Sequence, residues 1–270
     1  MNKSLFALIA FSTCVTSGAH AADYSDGIHK NDYQWKQFNL WHVIDQKPHG
    51  PDGFTDTFLE LEFGGRSGFL DLYGYVDIFD ITNSSSSDRH DSSNVFIKLA
   101  PRLSLDAMTG KDLSFGPVQE LYIANLNNVS DPFFDTLIGL GADVQVPWFG
   151  KVGMNLYARH SLNNEFFKEE EGKWNGYQFS MNWFKPFYFF DNDSYISYQG
   201  YMDWLFDVDT YGNEFIAEQG GVMSNGIFWH SERYALGYSL DYVKDGYMTK
   251  DSKELESTGF THYFSASYKF

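Results

Sequence analysis

The chain ends on Phe260-Thr261-His262-Tyr263-Phe264-Ser265-Ala266-Ser267-Tyr268-Lys269-Phe270. Phe260, His262, Phe264, Ala266, Tyr268 and Phe270 share one face of a two-residue alternation, and Thr261, Tyr263, Ser265, Ser267 and Lys269 share the other. A strand with an oily face, a polar face and an aromatic last residue has the pattern of a transmembrane β-barrel strand, lipid outside and water inside. A secreted β-sandwich also alternates, but it has no use for an outward aromatic face.

The same alternation recurs on the way back to the start. Leu59, Leu61 and Phe63 alternate with Phe58, Glu60 and Glu62, and Leu70, Leu72, Gly74, Val76 and Ile78 alternate with Asp71, Tyr73, Tyr75 and Asp77. Val95, Ile97, Leu99 and Leu103 oppose Phe96, Lys98, Arg102 and Ser104, while Ile196, Tyr198, Met202 and Trp204 oppose Ser197, Gln199, Tyr201 and Asp203. Filling the gaps gives an all-β, antiparallel barrel of about 12 strands, the fifth from Leu113 to Ala124 and the sixth from Thr136 to Val146. An even count puts both termini in the periplasm. Polar stretches such as Thr82 to Ser93, Ser161 to Lys173, Asp207 to Gln219 and Asp245 to Ser257 then face outward, and tight ones such as Pro147 to Gly150 and His230 to Arg233 face the periplasm. Trp148-Phe149 and Phe187-Tyr188-Phe189-Phe190 fit the aromatic girdles at the membrane surfaces.

At the other end, Lys3, the apolar stretch Leu5 to Phe11 and the small-x-small run Ala19-His20-Ala21 read as a cleaved secretory signal. The chain thus divides into a signal, 1–21, and a barrel domain, 22–270. Cys14, the only cysteine, leaves with the signal, so no disulfide is expected. No later apolar run approaches the ~18 residues of a spanning helix, which leaves a closed barrel in the outer membrane of a Gram-negative cell.

The 270 residues carry 36 Asp and Glu against 19 Lys and Arg, a net charge of −17, which excludes a nucleic-acid partner held by counterion release. A content of 43% hydrophobic and 19% aromatic residues excludes an acidic disordered chain. The chain has no His-Glu-x-x-His, Gly-x-Ser-x-Gly or Walker-type motif, and the histidines after the signal do not fall at metal-ligand spacing. No enzyme activity, catalytic residue, metal or cofactor is expected. Gly139-Leu140-Gly141 sits inside an alternating strand and precedes no helix, so it reads as tight barrel packing rather than a nucleotide loop.

Alternation sends Glu60, Glu62, Asp71, Asp77 and Asp203 into the lumen, faced by Lys98, Arg102 and Arg159, with Tyr73, Tyr75, Tyr157 and Tyr201 among them. Opposed charges across a narrow pore orient polar solutes, and tyrosines offer a flat face with a hydroxyl handle for a base or sugar ring. The same side chains also suit a barrel that merely fills and salt-bridges its own interior.

Asp56-Thr57-Phe58-Leu59-Glu60-Leu61-Glu62, Asp71-Leu72-Tyr73-Gly74-Tyr75-Val76-Asp77, Pro101-Arg102-Leu103-Ser104-Leu105-Asp106 and Asp112-Leu113-Ser114-Phe115-Gly116-Pro117 resemble the Tsx-type nucleoside-specific outer-membrane channel family, nearest to its marine-bacterial form. Asn155-Leu156-Tyr157-Ala158-Arg159 and Trp174-Asn175-Gly176-Tyr177 continue the likeness. The resemblance implies a twelve-stranded monomer whose narrow lumen binds nucleosides weakly through aromatic and ionisable side chains. It favours Glu60, Glu62, Asp71, Tyr73, Tyr75, Asp77 and Arg102. It also implies bacteriophage attachment through external loops, which here include Ser84 to Ser87 and Glu169 to Glu171. An acidic entrance favours neutral nucleosides over phosphorylated ones. The alternative is a surface-interaction barrel without selective transport, its loop charges solvated or bridged to lipopolysaccharide and lipid headgroups.

Overall fold

The computed structural model describes residues 22–270 apart from 52, 88, 91 and 92, so the secretory segment 1–21 lies outside the described residues. Twelve strands follow one another in antiparallel order: β1 (Tyr33–Ile44), β2 (Thr55–Ser67), β3 (Leu70–Ile78), β4 (Val95–Ser104), β5 (Val118–Ser130) and β6 (Phe133–Val146) form the first half. The second half is β7 (Gly150–Asn164), β8 (Lys173–Phe189), β9 (Tyr195–Phe206), β10 (Gly220–His230), β11 (Tyr234–Lys244) and β12 (Gly259–Lys269). Each strand pairs with its neighbours in sequence, and β12 returns to β1 through pairs running from Gln37↔Lys269 to Ile44↔His262. Closure leaves no open strand edge, the condition for crossing hydrocarbon without helices.

Burial follows the alternation. On β1, Phe38, Leu40 and Ile44 are exposed on the outer wall, whereas Asn39 and Val43 are buried within. On β12, Phe260, Phe264 and Tyr268 face out, and Thr261, Ser265 and Ser267 face in. The turn residue Trp148 is almost wholly exposed, and Phe187 to Phe190 are about half exposed at the end of β8, where a girdle belongs.

One hairpin departs from the sequence reading. The fifth strand begins at Val118 rather than Leu113 and runs to Ser130, so its external turn is only Asp131-Pro132. The long connection falls at the periplasmic end instead, as a short helix, α1 (Leu105–Thr109), and a coil to Pro117. Ser104 caps α1 by accepting from the Ala107 N–H, and Gly110 ends it with a left-handed φ of 65°. Buried Asp106 then accepts from the backbone N–H of Leu113 and of Leu121, pinning the coil to the root of β5. The alternation was hard to see because the inner face of β5 carries Tyr122, Ala124 and Leu126. With Leu137 of β6 and Tyr157 of β7 the last two form a small apolar core on the inner wall. A strand apolar on both faces loses its period-two signature.

Close strand packing explains the glycine pair on β6. A Cβ at Gly139 would fall 1.8 Å from the Leu156 carbonyl oxygen, and one at Gly141 2.3 Å from Asn155 Oδ1. Only glycine fits there, in keeping with packing and not with phosphate binding.

Candidate functional site

A cavity of about 3310 Å³ fills the barrel, lined from the external loops to the periplasmic turns. All twelve candidate residues from the sequence line it. They separate into three levels with different occupations.

At the periplasmic level the polar side chains are committed to one another. Arg102 donates from Nε and Nη2 to Asp71 Oδ1 at 3.2 and 3.1 Å and from Nη1 to Asp143 Oδ1 at 2.9 Å, its guanidinium 4.0 Å from the centre of the Tyr122 ring. Arg66 donates to Glu120 at 2.9 Å, to Asp71 at 3.3 Å and to the Tyr122 hydroxyl at 2.5 Å. Lys151, on Asp143, is the third cation of this network. Tyr24, from the segment preceding β1, donates its hydroxyl to Glu120 Oε1 at 2.6 Å. Burial and the bond to Glu120 push that phenol up to about 12, so it stays a proton donor. Arg66, Glu120, Tyr122 and Asp143 were missed in the sequence; Glu120 and Tyr122 lie within the stretch read as the fifth strand, Leu113 to Ala124, but no lumenal face was assigned to it.

At the external level Arg159 is bound to Asp135 and to Glu170, which is fully buried and also accepts from Asn164 and Asn175. The acidic triplet Glu169 to Glu171 is therefore not a uniformly solvated run: its middle member closes the inside of a loop. Tyr157, 2% exposed, is spent in the apolar wall core and offers little surface to a solute.

The middle level is where the remaining candidates converge. Lys98 on β4 reaches across the barrel to Asp203 on β9 at 3.3 Å, its ammonium 5.7 Å from the ring of Tyr75 and 5.9 Å from that of Tyr201. Glu60 accepts from Asn39 at 2.6 Å and from the Trp41 indole at 3.0 Å. Glu62 accepts from Gln37 at 2.8 Å, from Asn39 at 3.0 Å and from the Tyr73 hydroxyl at 2.9 Å. Asp77 stands opposite Glu60 in the β2–β3 pairing. Gln37, Asn39 and Trp41 were missed too, although Gln37 and Asn39 alternate with Phe38 and Leu40 as a lumenal face should.

Two chains of rings climb the wall through this level. One runs Trp35, Tyr73, Tyr75, Phe96, Phe133 and Tyr247, with successive centroids 6.3, 6.1, 5.8, 6.1 and 6.5 Å apart. The other runs Phe79, Phe58, Trp41, Phe228, His230 and Tyr195, at 5.1, 6.3, 6.4, 6.3 and 4.7 Å. Missing side chains make room for them. A Cβ at Gly64 would sit 2.8 Å from the Trp35 indole, and one at Gly237 2.0 Å from the Phe228 ring, so both rings lie close against the wall.

Tyr247 enters the first chain from an external loop. Asp245, Tyr247 and Met248 all take left-handed φ, at 45°, 52° and 59°, a conformation that non-glycine residues hold only when their surroundings impose it. Here Met248 is buried with Val208, Ile216 and Ala217, and its carbonyl accepts from the Ala217 N–H at 2.9 Å. Two external loops thus clamp each other and turn Tyr247 toward Phe133.

Residues 30–270 match the family model described as nucleoside-specific channel-forming protein, Tsx. The chain is 52% identical to the outer membrane protein OmpK of Vibrio parahaemolyticus, over the whole of both chains. It is 28% identical, again over the whole of both, to the nucleoside-specific channel-forming protein Tsx of Klebsiella aerogenes. Among solved structures the NanC porin superposes with a TM-score of 0.50, covering 87% of this chain and 100% of that one at 6% identity, a likeness of fold alone. A closed twelve-stranded barrel with a lined interior and these relatives agree on one assignment: the chain belongs to the nucleoside-specific channel-forming family, Tsx, and is a channel barrel of the outer membrane.

Proposed function

We propose that the lumen passes nucleosides by facilitated diffusion and catalyses no reaction. The observation that carries this reading is the middle level, where Tyr75 and Tyr201 flank the Lys98–Asp203 pair and Tyr73 adjoins Tyr75. A base stacks on ring faces, and a ribose exchanges hydrogen bonds with carboxylates and phenols. A phosphate brings two or more negative charges into a passage that already holds Glu60, Glu62, Asp77 and Asp203. Of the candidates, Glu60, Glu62, Tyr73, Tyr75, Asp77, Lys98, Tyr201 and Asp203 are proposed as solute contacts. Asp71, Arg102 and Arg159 act instead as the frame around the path, and Tyr157 as its apolar wall.

The test is the conductance of single channels of the refolded chain in a planar bilayer, titrated with adenosine, thymidine and their monophosphates. Saturable block by both nucleosides and much weaker block by the monophosphates is the expected result. A conductance indifferent to all four would overturn the reading.

We propose further that export removes 1–21 and that the barrel works as a monomer among lipid and lipopolysaccharide, since closure leaves no strand edge to pair. The external loops are the proposed bacteriophage attachment surface. Deleting Ser84 to Ser87, which lie in the loop between β3 and β4, is expected to abolish adsorption while the conductance persists. Undiminished adsorption would remove that loop from the role.

A further inference from the structure

The charges inside the barrel do not balance level by level. At the periplasmic level Arg66, Arg102 and Lys151 meet Asp71, Glu120 and Asp143, three against three. In the middle, Glu60, Glu62, Asp77 and Asp241 have no basic partner within ion-pairing distance among the described residues. Lys98 is held on Asp203. Glu60 and Glu62 have neutral donors, as described above. Asp77 and Asp241, 6% and 4% exposed, each keep an Oδ1 with no hydrogen-bond partner while lining the cavity. Tyr263 lines the same cavity. Its ring lies 6.0 Å from that of Trp41.

Buried carboxylates without a counter-charge carry their desolvation cost uncompensated. The faces of tyrosine and tryptophan are themselves negative. A solute that brings positive charge on a flat ring supplies both a counter-charge for the carboxylates and a face to stack on the rings, whereas a neutral ring supplies only the face. An inorganic cation supplies only the charge.

We propose that this stretch of the lumen is a binding site for organic cations built on a planar ring, so that the channel prefers a cationic ring solute to a neutral one of the same shape. Asp77 on β3 and Asp241 on β11 supply the charge; Trp41, Tyr75, Tyr201 and Tyr263 supply the ring faces. The inference rests on the lumen being the solute path, and it concerns a preference that passage of neutral nucleosides does not require.

The probes are 1-methyladenosine, whose ring is cationic at neutral pH, and its neutral isomer N6-methyladenosine, with adenosine as reference. In the bilayer assay the cation is expected to block at about tenfold lower concentration than its isomer, the scale of a desolvated cation–π contact. The reversal potential in a potassium chloride gradient is expected on the cation-selective side. Asp77→Asn with Asp241→Asn is expected to bring the ratio of the two blocking concentrations toward one. Should that variant fail to fold, the comparison of isomers on the unaltered chain decides alone. Equal potency, or stronger block by the neutral isomer, would overturn the cation preference and leave nucleoside passage standing. Block by the cation without block by adenosine would keep the preference and overturn nucleoside passage. Block by none of the three would overturn both.

Discussion

Arg102→Ala is expected to cost the barrel about 3–5 kcal/mol of stability. Arg102 is the only bridge between Asp71 and Asp143 among the described contacts, and both carboxylates are buried. Truncation leaves Asp71 with Arg66 and Asp143 with Lys151 and the Tyr122 hydroxyl, and removes the one cation that both carboxylates share. It also removes the nearer of the two guanidinium groups over the ring of Tyr122, which is itself fully buried. The loss is therefore much larger than for an ion pair in water, where the median is about 0–1 kcal/mol. Urea titration of the protein refolded into lipid vesicles reads the difference. A loss under about 1 kcal/mol would mean that water reaches the network and screens it. Replacing Arg102, Asp71 and Asp143 together by apolar residues of similar volume is expected to recover much of the loss, because the penalty lies in unpaired charge.

Tyr75→Ala is expected to raise the nucleoside concentration for half-block about tenfold or more, since a base stacked on an aromatic side chain gains about 1–3 kcal/mol. Tyr75 is the middle of the first ring chain, between Tyr73 at 6.1 Å and Phe96 at 5.8 Å, and it faces the Lys98 ammonium. Removing it opens a gap in the chain at the level where the lumen is bridged. Tyr75→Phe keeps the ring and is expected to keep most of the affinity. If alanine and phenylalanine variants are blocked equally well, the ring is not the contact. Tyr73→Ala combined with Tyr75→Ala is expected to exceed either alone, as the hydroxyl of Tyr73 also holds Glu62 in place.

The two predictions draw on different parts of the sequence reading. That Arg102, Lys98 and Asp203 face inward follows from parity along a single strand, and alternation makes parity readable wherever the outer face is oily. Whom they meet does not follow. Lys98 and Asp203 are 105 residues apart, and their contact depends on the closure of the whole barrel. Parity likewise placed Tyr157 and Arg159 inside without revealing that one is packed into an apolar wall and the other anchored on a loop glutamate. The fifth strand was misread where its inner face turned apolar, and with it went Glu120 and Tyr122, half of the Arg66 partnership. Asp241 was visible on its strand as the polar alternate of Leu240 and Tyr242, yet a lone carboxylate becomes noteworthy only when its neighbours are seen to be neutral.

The separation of the interior into levels has an evolutionary consequence. The balanced network at the periplasmic end and the apolar patch shared by β5, β6 and β7 hold the barrel without calling on Tyr73, Tyr75, Asp77 or Asp241. The residues proposed to choose the solute can therefore be exchanged one at a time at little risk to folding. A lineage that meets a new nutrient can retune its pore while its scaffold stands still.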